Sequence, residues 1–156
     1  MKKLFETDPK NWSALVARVA LGIVIFPHGA QKLFGWFGGF GFEGTMGFLT
    51  SQVKLPYIIA LLVILIESIA ALFVFFGFAT RIAALGILAN FLGIVIKVHA
   101  ANGFFMNWAG TQKGEGIEFF LLLFGLAIIL LITGGGKASV DAALSGQRRL
   151  NISPLL

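Results

Sequence analysis

The stretch GIVIFPHGAQKLFGWFGG, Gly22 to Gly39, begins as an apolar helix of membrane-spanning character and ends as an aromatic, glycine-rich loop. Within it, His28, Gln31 and Lys32 fall at i, i+3 and i+4 and therefore share one helical face. Hydrogen-bonding side chains near the end of an apolar helix are costly unless other polar groups meet them. The stretch therefore predicts a membrane helix with a polar site at its end, and the other polar outliers of the chain are its candidate partners.

The composition places the chain in the membrane. Of its 156 residues, 58% are hydrophobic and 12% are charged, whereas a soluble domain carries about 25% charged residues. The net charge is +5, but the cations border apolar segments, where they orient a chain in the bilayer rather than bind nucleic acid. The chain has no cysteine, which excludes disulfides, thiol redox chemistry and iron–sulfur clusters held by its own residues.

Four apolar stretches, about 12–34, 56–78, 80–101 and 116–133, each approach the roughly 20 residues that cross a bilayer. They predict an all-α integral membrane protein, a four-helix transmembrane bundle, with one domain over 1–144 and a tail over 145–156. In the first outer loop, Phe42, Met46, Leu49 and Val53 recur at helical spacing, which predicts a short amphipathic helix lying in the membrane interface.

The distribution of basic residues predicts the orientation. Most of them lie on the side of the two termini: Lys2, Lys3, Lys10, Arg81, Lys137, Arg148 and Arg149. The opposite loops carry only Lys54 and Lys113, with Lys32 and Lys97 near that edge. The excess predicts a multi-pass protein of the bacterial inner membrane with both termini in the cytoplasm and an uncleaved first helix.

Three polar residues are predicted to lie deep in the membrane, and their first interpretation is a structural role. Glu67 is the only charge in the second apolar stretch, and Arg18 and Asn90 fall at similar depth. We expect Arg18 or a polar group from another helix to pair with Glu67, either as a contact that locks the bundle or as a proton-relay or ligand site. At the inner edge, we predict that Arg81 and Asp141 form an ion pair that fastens the tail under the bundle.

An outer layer is the better candidate for a ligand site. His28, His99 and Glu118 come from three different helices, and we predict that they converge, with Gln31 or Lys32 at the rim and Trp108 or Trp36 as a lid. Four interpretations stay open. The imidazoles could bond backbone carbonyls or lipid headgroups, bind a quinone head or a small oxyanion, hold a metal together with Glu118, or ligate a haem.

One geometric difficulty concerns the third apolar stretch. On a straight α-helix, His99 lies about 180° from Asn90. Both can face the bundle centre only if this helix bends or unwinds, and it contains no proline to bend it.

The chain resembles the DoxX family of small bacterial four-helix membrane proteins over about residues 15–144. The resemblance rests on these residues: Arg18, Pro27–Gly39, Glu67, Gly77–Arg81, His99, Gly103–Trp108, Gly114–Glu118 and Ser139–Asp141. It implies a membrane subunit linked to oxidoreductases, since some relatives belong to thiosulfate:quinone oxidoreductase or were assigned to quinol oxidases, although most have no assigned reaction. The chain departs from the family pattern at Phe119 and Phe120, where a tyrosine and a histidine are common.

Together, the residues and the resemblance predict a redox-associated subunit. It would bind a quinone-like or small redox molecule at the outer end of the bundle and depend on a partner redox enzyme for a redox centre. Whether the chain is itself an enzyme stays open. The alternatives are a non-catalytic assembly or accessory subunit of a larger membrane complex and a small-solute permease.

Overall fold

The computed structural model describes residues 5–150, and within these it gives the side chains of residues 5–145. The described part is helical and contains no strand. Its helices, numbered along the chain, are α1 (Trp12–Phe34), α2 (Gly41–Ser51), α3 (Tyr57–Phe76), α4 (Thr80–Asn102), α5 (Glu118–Thr133) and α6 (Val140–Leu150). The sequence predicts little order beyond Arg148 and Arg149, and residues 151–156 lie outside the described range.

Three of these helices, α1, α3 and α4, are long and apolar enough to cross a membrane, and α5 is a shorter apolar helix of 16 residues. Helix α1 begins at Trp12 because the Asn11 side chain accepts from the Ala14 amide, and it ends where Gly35 adopts a left-handed conformation. The described residues thus form an all-helical membrane protein.

Helices α3 and α4 each contain a π-helical segment, Ile66–Ala70 in α3 and Val95–His99 in α4. In these segments the Ala71 amide donates to the Ile66 carbonyl, and the Ala100 amide donates to the Val95 carbonyl. Each wider turn accommodates an extra residue, so it rotates the side chains that follow relative to those that precede. Both segments include a polar residue that the sequence analysis singled out, Glu67 in the first and His99 in the second.

The four apolar helices pack as a ring in which α1 and α4 each contact both α3 and α5. Buried residues from all four form its core, among them Leu21, Val74, Ile87 and Leu130. The contact of α1 with α3 is especially close, because a Cβ atom on Gly29 would lie 2.1 Å from the Glu67 carbonyl oxygen. Only glycine lets the two backbones approach in this way.

The two ends of this ring differ. At the loop end, α1 and α4 finish, α3 and α5 begin, and the segments 35–56 and 103–117 connect them. Here α2 packs against the first half of α3, with Met46 and Leu49 buried against Ala60, Val63 and Ile64. The apolar face that the sequence predicts for α2 therefore contacts α3.

At the terminus end, two buried side chains, Arg18 and Asp141, bond the backbone where helices end and begin. Arg18, which is 3% exposed, donates to the carbonyls of Gly135 at 2.9 Å, Lys137 at 2.9 Å and Ala138 at 2.6 Å. It also donates to the carbonyl of Phe75 near the end of α3. Arg18 thus bonds backbone carbonyls and is not the partner of Glu67, so of the two predicted partners for Glu67 only a polar group from another helix applies.

Asp141 caps the beginning of α4. Its carboxylate accepts from the Ala79 amide at 2.8 Å, the Thr80 amide at 2.9 Å and the Thr80 hydroxyl at 2.7 Å. Arg81 points elsewhere and donates to the carbonyls of Leu131 at 3.0 Å and Ile132 at 3.1 Å. The predicted Arg81–Asp141 ion pair is therefore wrong, because the amides at the start of α4, which have no partner within the helix, bond the carboxylate.

We predict that Asp141→Ala destabilises the bundle by about 1–3 kcal/mol, because it leaves two amides and a hydroxyl without their acceptor. Thermal unfolding of the detergent-solubilised protein measures the change. Asp8→Ala is the matched control, since Asp8 also accepts from an amide, that of Lys10 at 2.8 Å, but is exposed. Equal losses for the two variants would contradict the buried cap.

Candidate ligand-binding site

A cavity of about 730 Å³ lies at the loop end, and we call it the loop-end cavity. Helices α1, α3, α4 and α5 form its walls, and Phe48 and Leu49 of α2 with Val53 and Leu55 line it from the loop side. Most lining residues are apolar. The polar and charged ones are His28, Lys32, Glu67, Asn90, Lys97, His99 and Glu115. A mainly apolar cavity of this size with a few polar groups has the character of a small-molecule site.

An ion pair and a hydrogen bond within the cavity join three helices. The Lys32 ammonium of α1 donates to Glu67 Oε2 of α3 at 2.6 Å, and the Asn90 amide of α4 donates to Oε1 at 3.3 Å. Glu67 is 1% exposed and the Lys32 side chain 27% exposed. Each carboxylate oxygen therefore has a donor, which is the condition under which a buried charge is tolerated. Glu67 pairs with polar groups from other helices, as the sequence predicts, but with different ones from Arg18.

Lys32 and Glu67 fall in separate layers when their depths are counted from helix ends that are assumed to lie at the same height. The contact of Gly29 with Glu67 shows that the ends are not level. About 15 Å of α3 precedes Glu67, whereas only about 8 Å of α1 follows Gly29. Lys32, less than one turn beyond Gly29, therefore lies within side-chain reach of Glu67.

His99 reaches the same cavity as Asn90 because the π-helical segment Val95–His99 intervenes. The wider turn supplies the unwinding that a straight helix lacks. The Nδ1 atom of His99 lies 2.8 Å from the Glu115 carbonyl oxygen, and the imidazole ring packs at an angle against the Phe120 ring, with centroids 4.6 Å apart. Since a carbonyl only accepts, Nδ1 carries a proton, and in the neutral tautomer with this proton Nε2 is an acceptor.

His28 lines the cavity from α1 and is exposed within it. Its backbone carbonyl lies 3.5 Å from the Lys32 ammonium. The two histidines that the sequence places at similar depth thus line one cavity. Gln31 is not among the lining residues, and its amide points to the Phe37 carbonyl at 3.4 Å, in the loop that follows α1.

Glu118 and Trp108 come together outside the cavity lining. Glu118 Oε1 accepts from the Met106 amide at 3.0 Å and from Trp108 Nε1 at 3.2 Å. Trp108 is 87% exposed, and Trp36 is also exposed and absent from the lining. Glu118 therefore shapes the segment before α5, and in this structure it does not converge with the histidines. The predicted three-residue site becomes two histidines with the Lys32–Glu67–Asn90 cluster.

The metal alternative is not supported by the geometry. Among residues 5–145, no group of three histidine, aspartate or glutamate side chains could hold a metal ion, so His28, His99 and Glu118 do not form such a set. The sequence-based site did not include Asn90, Lys97 and Glu115, which line the cavity. Glu67 was predicted separately, as a bundle contact or as a proton-relay or ligand site in a deeper layer. The π-helical segments that bring Glu67 and His99 into place have no sequence signature that periodicity alone would reveal.

Comparison with known proteins gives a consistent family. The sequence model of the DoxX family matches residues 13–100, which run from α1 into α4 and include the Lys32–Glu67–Asn90 cluster. The chain is 32% identical over 154 residues to a Bacillus subtilis (strain 168) protein named "Putative oxidoreductase CatD", covering 98% of this chain and 99% of that one. It is 27% identical over 131 residues to "Inner membrane protein YphA" of Escherichia coli (strain K12), covering 81% and 86%. No solved structure matches.

We predict that the Lys32–Glu67 pair behaves as a coupled unit. Lys32→Met alone leaves a buried carboxylate without its cation and costs at most about 3 kcal/mol, since Lys32 is partly exposed. The double variant Lys32→Met/Glu67→Leu recovers part of this loss, which gives a coupling energy of about 1–3 kcal/mol in a double-mutant cycle of unfolding free energies. The control, Lys97→Met, removes an exposed lining lysine and changes stability by at most about 0.5 kcal/mol. Strictly additive effects would show that the pair is not coupled.

Proposed function

The chain belongs to the DoxX family of membrane proteins, and on that premise we propose that it is a redox-associated membrane subunit that binds a quinone in the loop-end cavity. The observation that carries the proposal is a cavity of about 730 Å³ with apolar walls and one charge-neutral polar cluster. A quinone likewise combines an uncharged polar head with apolar rings and tail, so its head matches the polar cluster and the rest matches the apolar walls.

The polar groups of the cavity match the hydrogen bonds that a quinone and a quinol can make. The amide of Asn90 has a second N–H, and the ammonium of Lys32 has further N–H donors, which suit a quinone carbonyl. In the tautomer of His99 with the proton on Nδ1, the Nε2 atom suits the hydroxyl of a quinol, which donates. Because Glu67 balances the charge of Lys32, the cluster favours a neutral head over a small oxyanion.

Aromatic side chains supply the apolar part of the site. Phe91 of α4 and Phe119 and Phe120 of α5 line the cavity, and Phe120 packs against both Phe91 and the His99 ring. Flat aromatic side chains offer large surfaces to a flat ring. The departure from the family pattern at Phe119 and Phe120 thus places two apolar rings where a tyrosine and a histidine are common.

The electrons would come from a partner protein. The chain has no cysteine and therefore no thiol or iron–sulfur centre of its own. The name of the Bacillus subtilis relative contains the word oxidoreductase, which favours a subunit that supplies the quinone site to a redox enzyme or a larger membrane complex. In this proposal the chain binds the quinone and positions it, and the partner carries the redox centre.

We propose a bacterial inner-membrane protein whose helices α1, α3, α4 and α5 cross the bilayer as one domain over 1–144, with the tail 145–156 outside it. Both termini lie in the cytoplasm, and α2 lies at the outer interface. The excess of basic residues on the side of the termini supports this orientation. The element order supports placing both termini on one side, because segments 35–56 and 103–117 lie at one end of the bundle and the first and last described residues lie at the other.

The orientation predicts which positions an impermeant thiol reagent reaches. Because the chain has no cysteine, single substitutions report cleanly. We expect Ser51→Cys, exposed on α2, to label in intact cells, and Ala143→Cys, exposed on α6, to label only after lysis. Labelling of Ala143→Cys in intact cells would reverse the orientation, and the cysteine-free protein is the control.

The quinone proposal predicts that organic extraction of the purified protein recovers bound quinone, measured by its absorbance. Asn90→Leu lowers retention about fivefold, the value of one hydrogen bond. Gln112→Leu, the control, changes an exposed amide side chain outside the cavity lining and leaves retention unchanged. His28→Ala and His99→Ala abolish retention while membrane insertion persists.

Protein that neither retains quinone nor binds added quinone would refute the proposal. In that case, purification with one partner protein would support an accessory subunit, and solute uptake into proteoliposomes would support a permease.

A further inference from the structure

We infer that the loop-end cavity opens sideways into the bilayer, through a cleft between α3 and α4, and that its ligand is a long-tailed, membrane-dissolved molecule. The inference rests on the proposed quinone site and adds the class of quinone and its route. It depends on how α3 and α4 separate toward the loop end, on the small residues along the edge of the cleft, and on the cover that closes the cavity on the loop side.

Helices α3 and α4 are in contact over only part of their length. Helix α4 packs against the π-helical segment Ile66–Ala70 and against Ala71–Phe76 of α3. The first part of α3, Tyr57–Leu65, packs instead against α1 and α2. The two helices therefore diverge beyond the π-helical segment, and the loop-end cavity lies where they diverge.

The α4 edge of this cleft is built from small residues. Ala89 and Gly93 both line the cavity and are both exposed, and a Cβ atom on Gly93 would meet nothing within 4 Å. Ile59 and Val63 line the cavity from α3 on the other side. Helix α4 is also the least buried of the three long apolar helices, as expected for a helix with the cavity on one side and lipid on the other.

The side of the cavity toward the loops is covered. Phe48 and Leu49 of α2 and the following Val53 and Leu55 line it there, and Leu49 is buried against α3. A molecule arriving from water would have to displace this cover, whereas a molecule dissolved in the bilayer meets an apolar cleft. The polar cluster of Lys32, Glu67 and Asn90 would then hold the head, and the tail would lie along the cleft in contact with lipid.

The test places a bulky side chain in the cleft. Gly93→Phe narrows it, and Gly125→Phe is the matched control. Gly125 is an exposed helical glycine of α5 with nothing within 4 Å of its Cβ, and it is not a lining residue. Binding to purified protein in lipid nanodiscs is measured for an isoprenoid-tailed quinone and for a tail-less quinone with the same head. Ala89→Phe, on the same edge of the cleft, is a second variant that covers the case in which Gly93→Phe does not fold.

We expect Gly93→Phe and Ala89→Phe to weaken binding of the tailed quinone about tenfold or more, as overpacking in a filled site does. The tail-less quinone should be affected several-fold less, and Gly125→Phe should change neither. If both cleft variants leave the tailed quinone unaffected, or weaken both quinones equally, the lateral route is overturned while the quinone site stands. If the unmodified protein binds neither quinone, the proposed function itself falls.

Discussion

The packing of α1, α3 and α4 depends on one buried carboxylate, that of Glu67. Glu67 is almost fully enclosed in the middle of an apolar helix, where an unpaired charge would cost several kcal/mol. Lys32 and Asn90 satisfy it from two other helices, so one side chain determines how α1, α3 and α4 are placed relative to one another. Gly29 completes the arrangement, because its missing side chain lets α1 touch the backbone of Glu67 and brings Lys32 within reach.

The two ends of the bundle use their buried polar side chains in different ways. At the terminus end, Arg18 and Asp141 bond backbone carbonyls and amides, which are fixed in number and position. Such contacts close the packing and leave no polar group for a ligand. At the loop end, Lys32, Glu67 and Asn90 bond one another through flexible side chains. Lys32 and Asn90 keep donors that a bound molecule could share, which is why we propose the binding site at the loop end.

The helices could be read from the sequence, whereas most of the contacts between them could not. Apolar runs bounded by polar or glycine-rich segments locate a helix well, because the length of a helix in lipid is set by the bilayer. The pairing of Lys32 with Glu67 was missed because residue counting assumes level helix ends. The cap that Asp141 forms at the start of α4 was not predicted for another reason. Asp141 bonds backbone amides, and backbone groups are the same in every sequence. Of the predicted trio His28, His99 and Glu118, only the two histidines line the cavity, and the Glu118 carboxylate accepts instead from Met106 and Trp108 in its own loop.

The cavity follows from the same features that bury the polar residues. The π-helical segments turn Glu67 and His99 toward the space between the helices. If α3 and α4 stayed in contact as far as the loop end, the space around these side chains would close. The other polar side chains that line it would then be buried against apolar residues, which is costly. The helices instead diverge beyond the first π-helical segment and leave a volume that a small molecule can fill. A sequence that replaced Glu67 and its partners with apolar residues could fill this space by packing. The cavity therefore exists because the chain keeps polar residues here, despite what it costs to bury them.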